Sequence, residues 1–349
     1  MRKSVWASCM TVFVLVLFMG CAGCGGGSAV SPPPTFFQAD LSGDWGFHVL
    51  GANPPPPATP TGSAWGHGIF SMDNTGNGVV TTQAWSDTSF FGNIAFTLSG
   101  DGGMSVGGTS IHGFMSVDKN TVVAMYSNGV GGSSIWLLQR AGAPTFLQVD
   151  LSGDWGFHVL SAYPTGSAWG HGIYSIDAAG NGVVTTQTWS DSSIFSNTAF
   201  TLSNDGVLSA GVTLHGFMSV DKNTVVATYT NGAGGSSFWL LQRRVGTTTF
   251  LQEDLSGNWG CHLLGVTPAG SIWGHGMYSI GKTGIGVVTA ESWSDPSAHF
   301  SDTTFSLSID GEISSPGGVH GFMSVDKNFV VATFTNLSGR SSFWLLQKR

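Results

Sequence analysis

From residue 35 onward the chain alternates short apolar runs with turn-forming residues: GFHVL, GIFSMD, VVTTQAW, IAFTL, GFMSVD, TVVAMY and SIWLL are each cut off by Gly, Asn or Asp within a few positions. Runs this short, rich in β-branched and aromatic residues, predict β-strands. No stretch long enough for a helix carries the 3.6-residue apolar period. An all-β chain follows.

The pattern also repeats. TFFQADLSGDWGFH at Thr35 returns as TFLQVDLSGDWGFH at Thr145 and TFLQEDLSGNWGCH at Thr249, at spacings of 110 and 104 residues. Each copy then runs through S-x-WGHG, GVVT, WSD, HGFMSVDKN and a closing WLLQ. The longer first period comes from a proline-rich insertion, Asn53 to Pro60, placed in a loop between strands. The body therefore divides into β repeats at 35–144, 145–246 and 247–349. Within a copy a weaker duplication is visible: HGIFSMDNTGNGVVT from His67 resembles HGFMSVDKNTVVA from His112, and LSGDWG from Leu41 resembles LSGDGG from Leu98. With the short MSV run counted, a copy holds about eight strands and a half-copy about four.

Two architectures satisfy that count. Each copy can close alone into an eight-stranded up-and-down barrel, giving three tandem barrel modules, or six half-copies can form one six-bladed propeller. A sandwich is a third arrangement, while a transmembrane barrel is disfavoured because its strands need about ten alternating residues. The repeat start DLSGDWG resembles the Gly-x-Trp opening of the calycin barrels, the group of lipocalins and avidins. That resemblance implies a Trp plugging one barrel end (Trp45, Trp155, Trp259) and a basic residue late in the last strand packing over it (Arg140, Arg243, Lys348). It favours the barrels. The expectation is that each copy satisfies its own backbone and core without its siblings.

Ahead of the repeats, Arg2 and Lys3 precede an apolar stretch from Val12 to Met19, of a length that suits a signal peptide (residues 1–20) and falls short of a membrane span. The stretch meets Gly20-Cys21, which resembles the lipobox of bacterial lipoproteins, where the cysteine is acylated and becomes the new N-terminus. The resemblance implies lipidation of Cys21, with Cys24 as runner-up, and a bacterial cell-envelope location, lipid-anchored at the outer membrane or cell surface. The alternative is a cleaved secretion signal with incidental cysteines. Residues 21–34, with GGGSAVSPPP, read as a tether. Only Cys261 lies in the body, where Phe47 and Phe157 stand in the other copies, so it reads as a core side chain and no disulfide framework exists. Gly25 stands where a c-type haem site after Cys21 and Cys24 needs histidine.

Composition narrows the function classes. Charged residues are 9% of the chain against roughly 25% in an ordinary soluble protein, and the net charge is −8. A basic nucleic-acid groove is excluded on that balance. Nine of the ten histidines fall at three repeated places: His48, His158 and His262; His67, His171 and His275; His112, His215 and His320. Strands one, two and six would have to converge for these to form a metal site, and no H-x-H or H-E-x-x-H spacing supports one, so no metal or cofactor is assigned. Tryptophans recur as regularly, and their faces suit planar or apolar ligands. The ligand-binding candidates are Trp65, His67, Trp85 and Asp87 in the first copy, Trp169, His171, Trp189 and Asp191 in the second, and Trp273, His275, Trp293 and Asp295 in the third. Asp118, Asp221 and Asp326, in D-K-N, read as hairpin-turn residues. No G-x-S-x-G, P-loop or dinucleotide fingerprint occurs, so no catalytic residue is assigned.

The reading is a non-enzymatic envelope lipoprotein. Its membrane partner is reached through the anchor, and its β-modules bind a small molecule or surface ligand or serve an adhesive, structural role. The other class is a propeller-type hydrolase or a metal-binding protein. Fatty-acid labelling in a bacterial host is expected to be lost on Cys21→Ala and kept on Cys24→Ala; the reverse outcome moves the anchor.

Overall fold

A computed structural model of the chain describes residues 35–52, 62–127, 132–142, 145–163, 166–211, 213–230, 235–244, 246, 248–267, 270–335 and 339–349. The expected signal peptide (1–20), Cys21 and the expected tether (21–34), and the proline-rich insertion at 53–60, lie outside the described residues. No helix among the described residues is long and apolar enough to cross a membrane.

Eight antiparallel strands of the first copy close into a barrel: β1 (Gly43–Ala52), β2 (Ser63–Met72), β3 (Asn77–Trp85), β4 (Ile94–Leu98), β5 (Gly103–Val106), β6 (His112–Met115), β7 (Thr121–Ser127) and β8 (Ser133–Arg140). Neighbours in sequence pair in space, and β1 closes on β8 with Trp45 opposite Arg140 and Ala52 opposite Ser133. The second and third copies repeat this order as nine-stranded sheets. In them the counterpart of β4 is split at buried Phe200 and Phe305 into Thr198–Ala199 and Thr201–Leu202, and into Thr303–Thr304 and Ser306–Leu307. The two halves form the two edges of one barrel-like sheet. The first strand of every copy pairs with the last strand of the same copy, so the propeller alternative does not apply.

One end of each barrel is plugged. A 3-10 turn, Gln38–Leu41 in the first copy, lays buried Leu41 under the sheet, and Gln38 binds the backbone of β4 at Phe96 O and Leu98 N, both at 2.8 Å. Trp45 is fully buried and donates its indole N–H to Leu41 O at 2.7 Å. The Arg140 guanidinium lies 4.5 Å from the Trp45 ring centre and donates to the carbonyls of Ser42 and Asp40. Arg243 stands likewise over Trp155 at 4.4 Å and Lys348 over Trp259 at 5.5 Å, as the Gly-x-Trp resemblance implied. Such a cation over a desolvated ring contributes about 1–2 kcal/mol beyond the area the ring buries. Cys261 is a buried free thiol whose pKa burial pushes up, the state of a core side chain.

Each barrel interior has its own apolar cluster, around Trp45 and Phe47, Trp155 and Phe157, and Trp259 and Cys261. A fourth cluster lies outside all three barrels. Side chains alternate along a strand, so where Val49, Trp136 and Leu138 face the first interior, Leu50, Ile135 and Leu137 face out. These outward rows meet Leu160, Phe238 and Leu240 of the second copy and Leu264, Phe343 and Leu345 of the third in one shared core. The expectation that a copy satisfies its core alone is thereby corrected: backbone pairing is private to each copy, but the packing is not. Strands that must be apolar on both faces read as continuous runs rather than alternation, which is why WLLQ is buried throughout.

Expressed alone, residues 145–246 would expose the row Leu160, Val226, Phe238 and Leu240. Size-exclusion chromatography is expected to show self-associated or aggregated material for this fragment; a monodisperse monomer would contradict the shared core.

Candidate functional site

One end of the first barrel, where β3 passes to β4 and β5 to β6, is the mouth of a cavity of about 750 Å³, lined mainly by Val49, Trp85, Phe91, Ile111, Tyr126 and Trp136, with Asp87 and Ser134 as polar groups. Local sequence explains how Trp85 gets inside. In W-G-H-G the two glycines face inward with period two, and a Cβ at Gly66 would stand 2.4 Å from the Trp85 ring, so only glycine leaves room for it. Gln83 then fixes the loop over the cavity. Its side-chain oxygen accepts the Trp85 indole N–H at 2.7 Å and the Phe91 N–H at 2.8 Å, while its amide donates to Phe91 O at 3.0 Å. In the second copy Gln187 does the same for Trp189 and Phe195, and in the third Glu291 binds Trp293 and Phe300. His299, the histidine outside the repeat pattern, lies 3.0 Å from that Glu291 carboxylate.

The candidate residues divide between two places. Trp85 and Asp87 line the cavity, Asp87 also capping its turn by accepting the Ser89 N–H at 2.9 Å. Asp191 and Asp295 hold the corresponding turns through Ser193 and Ser297. Trp65 and His67 point the other way, out of the barrel, and their rings stack at 5.3 Å. The Trp65 indole donates to Thr230 of the second copy and that of Trp169 to Thr335 of the third. Trp273 occupies the same place against the first copy, where its Nε1 is buried without a partner. Asp118, Asp221 and Asp326 do form hairpin turns, each accepting from the amide of the Asn two residues on. All three turns border one small cavity between the copies, so the three equivalent turns meet at one place.

The nine repeated histidines do converge, but across copies. His67 lies 5.0 Å from His215 and 5.8 Å from His48 between ring centres, which joins strands one and two of the first copy to strand six of the second. His171 and His320 are 5.2 Å apart beside His158, and His275 and His112 are 5.4 Å apart beside His262. The third copy thus docks back on the first. Burial, with a minor contribution from the neighbouring imidazoles, holds His48 and His158 well below the ordinary histidine value; for His262 the neighbours are His275 and Arg349. The same causes bring His67, His171 and His275 down to about 4. Among the described residues no three His, Cys, Asp or Glu side chains are grouped so as to hold a metal ion.

Phe91, Ile111, Tyr126 and Trp136 were not among the candidates read from sequence. The one signal for Trp136 in the chain is its recurrence in the closing WLLQ of every copy; the structure sets it opposite Val49 in the β1–β8 register, both facing inward.

No family model and no curated protein matches the chain. Among solved structures, transferrin binding protein B from serogroup B Neisseria meningitidis is distantly similar, at 9% identity and a TM-score of 0.27, covering 88% of this chain and 76% of that one. A variant of transferrin binding protein B from Haemophilus parasuis gives 7% identity and a TM-score of 0.25, over 87% and 75%. A DUF3598-family protein of unknown function from Nostoc punctiforme gives 12% and 0.19, over 88% and 97%.

Proposed function

We propose that this chain is a non-enzymatic binding protein of the bacterial envelope, held by a lipid on Cys21, that takes a small apolar or planar ligand into the mouth of its first barrel. The observation that carries the reading is the cavity itself. About 750 Å³ lies within the range of small-molecule sites, and its walls are aromatic and aliphatic with few polar groups to orient a guest. Trp85 and Tyr126, half-buried at the cavity wall, offer ring faces at low entropic cost. A hydrolase needs two carboxylates across one cleft. Asp87 sits in the β3–β4 connection and Asp118 in the β6–β7 turn, and these belong to opposite ends of the barrel. The geometry favours holding a ligand over cleaving one.

The uncharged probe N-phenyl-1-naphthylamine tests this at neutral pH. Ile111→Trp, placed to narrow the cavity, is expected to remove one binding equivalent with the far-ultraviolet circular dichroism unchanged, and Trp85→Ala to weaken binding at that site about tenfold, the worth of one aromatic contact. Unchanged stoichiometry and affinity in both variants would overturn the reading.

A further inference from the structure

The three seams between barrels repeat one set of contacts. Gly46 on β1 receives Phe217, Gly156 receives Phe322 and Gly260 receives Phe114, each so closely that a Cβ on the glycine would fall within 2.9 Å of the ring. Ser63 Oγ donates to Ala162 O at 2.7 Å, Ser167 Oγ to Val266 O at 2.7 Å and Ser271 Oγ to Ala52 O at 2.5 Å. Three head-to-tail contacts of this kind close a ring. A histidine cluster lies in each.

What surrounds these imidazoles decides what a proton does there. The first seam holds His48, His67 and His215, packed on Phe217 and Thr228. The second holds His158, His171 and His320, with Arg244 over Phe322 and paired to Glu312 at 3.4 Å. The third holds His262, His275 and His112, with Arg349 over Phe114 and donating to Asp101 O. The charges acting on His48, His67, His158, His171, His262 and His275 come from other histidines and from Arg349, never from a carboxylate. Among the described residues, His48, His158 and His262 are also the only buried side chains able to gain charge in acid. Acid therefore acts on the seams before it acts on the barrel interiors.

We propose that the three histidine clusters make the ring of barrels an acid-operated latch, closed at neutral pH and opening reversibly in mild acid to expose the shared apolar faces. An imidazole with a lowered pKa in the closed seam binds its proton more tightly once the seam opens. Its contribution is whole above the ordinary value of 6.5 and is lost as pH falls from there toward the closed-seam value, about 4 for His67, His171 and His275. Six such groups titrating together make the loss steep. The opened state presents the outward rows of β1, β7 and β8 and their counterparts, while strand pairing within each copy persists.

The full chain in detergent, followed from pH 7.5 to 4 by X-ray scattering and anilinonaphthalenesulfonate fluorescence, tests the latch. The radius of gyration and the fluorescence are expected to rise together, with a midpoint between pH 6.5 and 4, to reverse on neutralisation, and to leave the far-ultraviolet circular dichroism unchanged. In the triple variant His67→Gln, His171→Gln, His275→Gln the midpoint should fall by at least about half a pH unit with a shallower slope. No change in radius down to pH 4, an unshifted midpoint in the variant, or loss of the dichroism together with the radius change would each overturn the proposal. Should the variant fail to fold, nuclear magnetic resonance of the histidine ring protons in the unaltered chain decides: six imidazoles that stay neutral below pH 6.5 until the radius begins to rise, and take up protons with it, support the latch, and six titrating near 6.5 with no change in radius refute it.

Discussion

Burial of β1 and β8 on both faces is the constraint from which the rest of the molecule follows. A barrel needs only its inward rows to be apolar, yet Leu50, Ile135 and Leu137 face outward and are fully buried, as are Leu160, Phe238 and Leu240 in the second copy. Each fully buried aliphatic or aromatic side chain is worth about 1.5–3 kcal/mol against exposure, so outward rows of this length do not stay in water. Each copy offers two different outer surfaces, one on β1 and β2 and one on β6 and β7 or their counterparts. Matching the first kind to the second leaves each end of a linear array unsatisfied until the third copy returns to the first. The ring, the glycine–phenylalanine contacts and the histidine clusters are consequences of that closure.

The copies differ where the seams differ. Thr228 and Thr333 lie 3.5 and 3.4 Å from the Nδ1 atoms of His48 and His158, but the same place in the first copy is Met125. Both ring nitrogens of His262 accordingly lack a partner. The third seam gains apolar contact there, since Met125 is fully buried in the shared core, and gives up a hydrogen bond. Arg244 and Arg349 cover Phe322 and Phe114, whereas Ala141 stands in their place in the first copy, so the first seam has no cation on its phenylalanine from that position. An asymmetric ring of this kind need not open at all seams equally.

Much of the fold was legible in the chain. Short runs between turn residues gave the strands, the three copies of DLSGDWG gave the modules, and Arg140 after WLLQ correctly pointed at Trp45 because first and last strands of a closed barrel are neighbours. The shared core was visible and went unread: IWLL and VVAM are unbroken apolar runs, which a strand solvated on one face does not have. The three histidine positions invited convergence within a copy. They converge instead between copies, because Trp65 and His67 lie on the outer face of β2, opposite in phase to Gly66 and Gly68, and an alternation read one residue at a time would have shown it. The cavity could not be read, since it depends on where the β3–β4 connection lays Phe91, and Gln83 sets that through hydrogen bonds that leave no periodic trace.

Contact between the third copy and the first separates a closed ring from barrels on a string. Ser133 N donates to Ser271 Oγ at 2.9 Å, across 138 residues of sequence. A chain carrying Ser133→Cys and Ser271→Cys, oxidised at neutral pH and dilute enough to suppress links between molecules, should form an internal disulfide seen as a faster band on non-reducing electrophoresis. Free thiols at both positions after oxidation, with the protein folded, would contradict the ring.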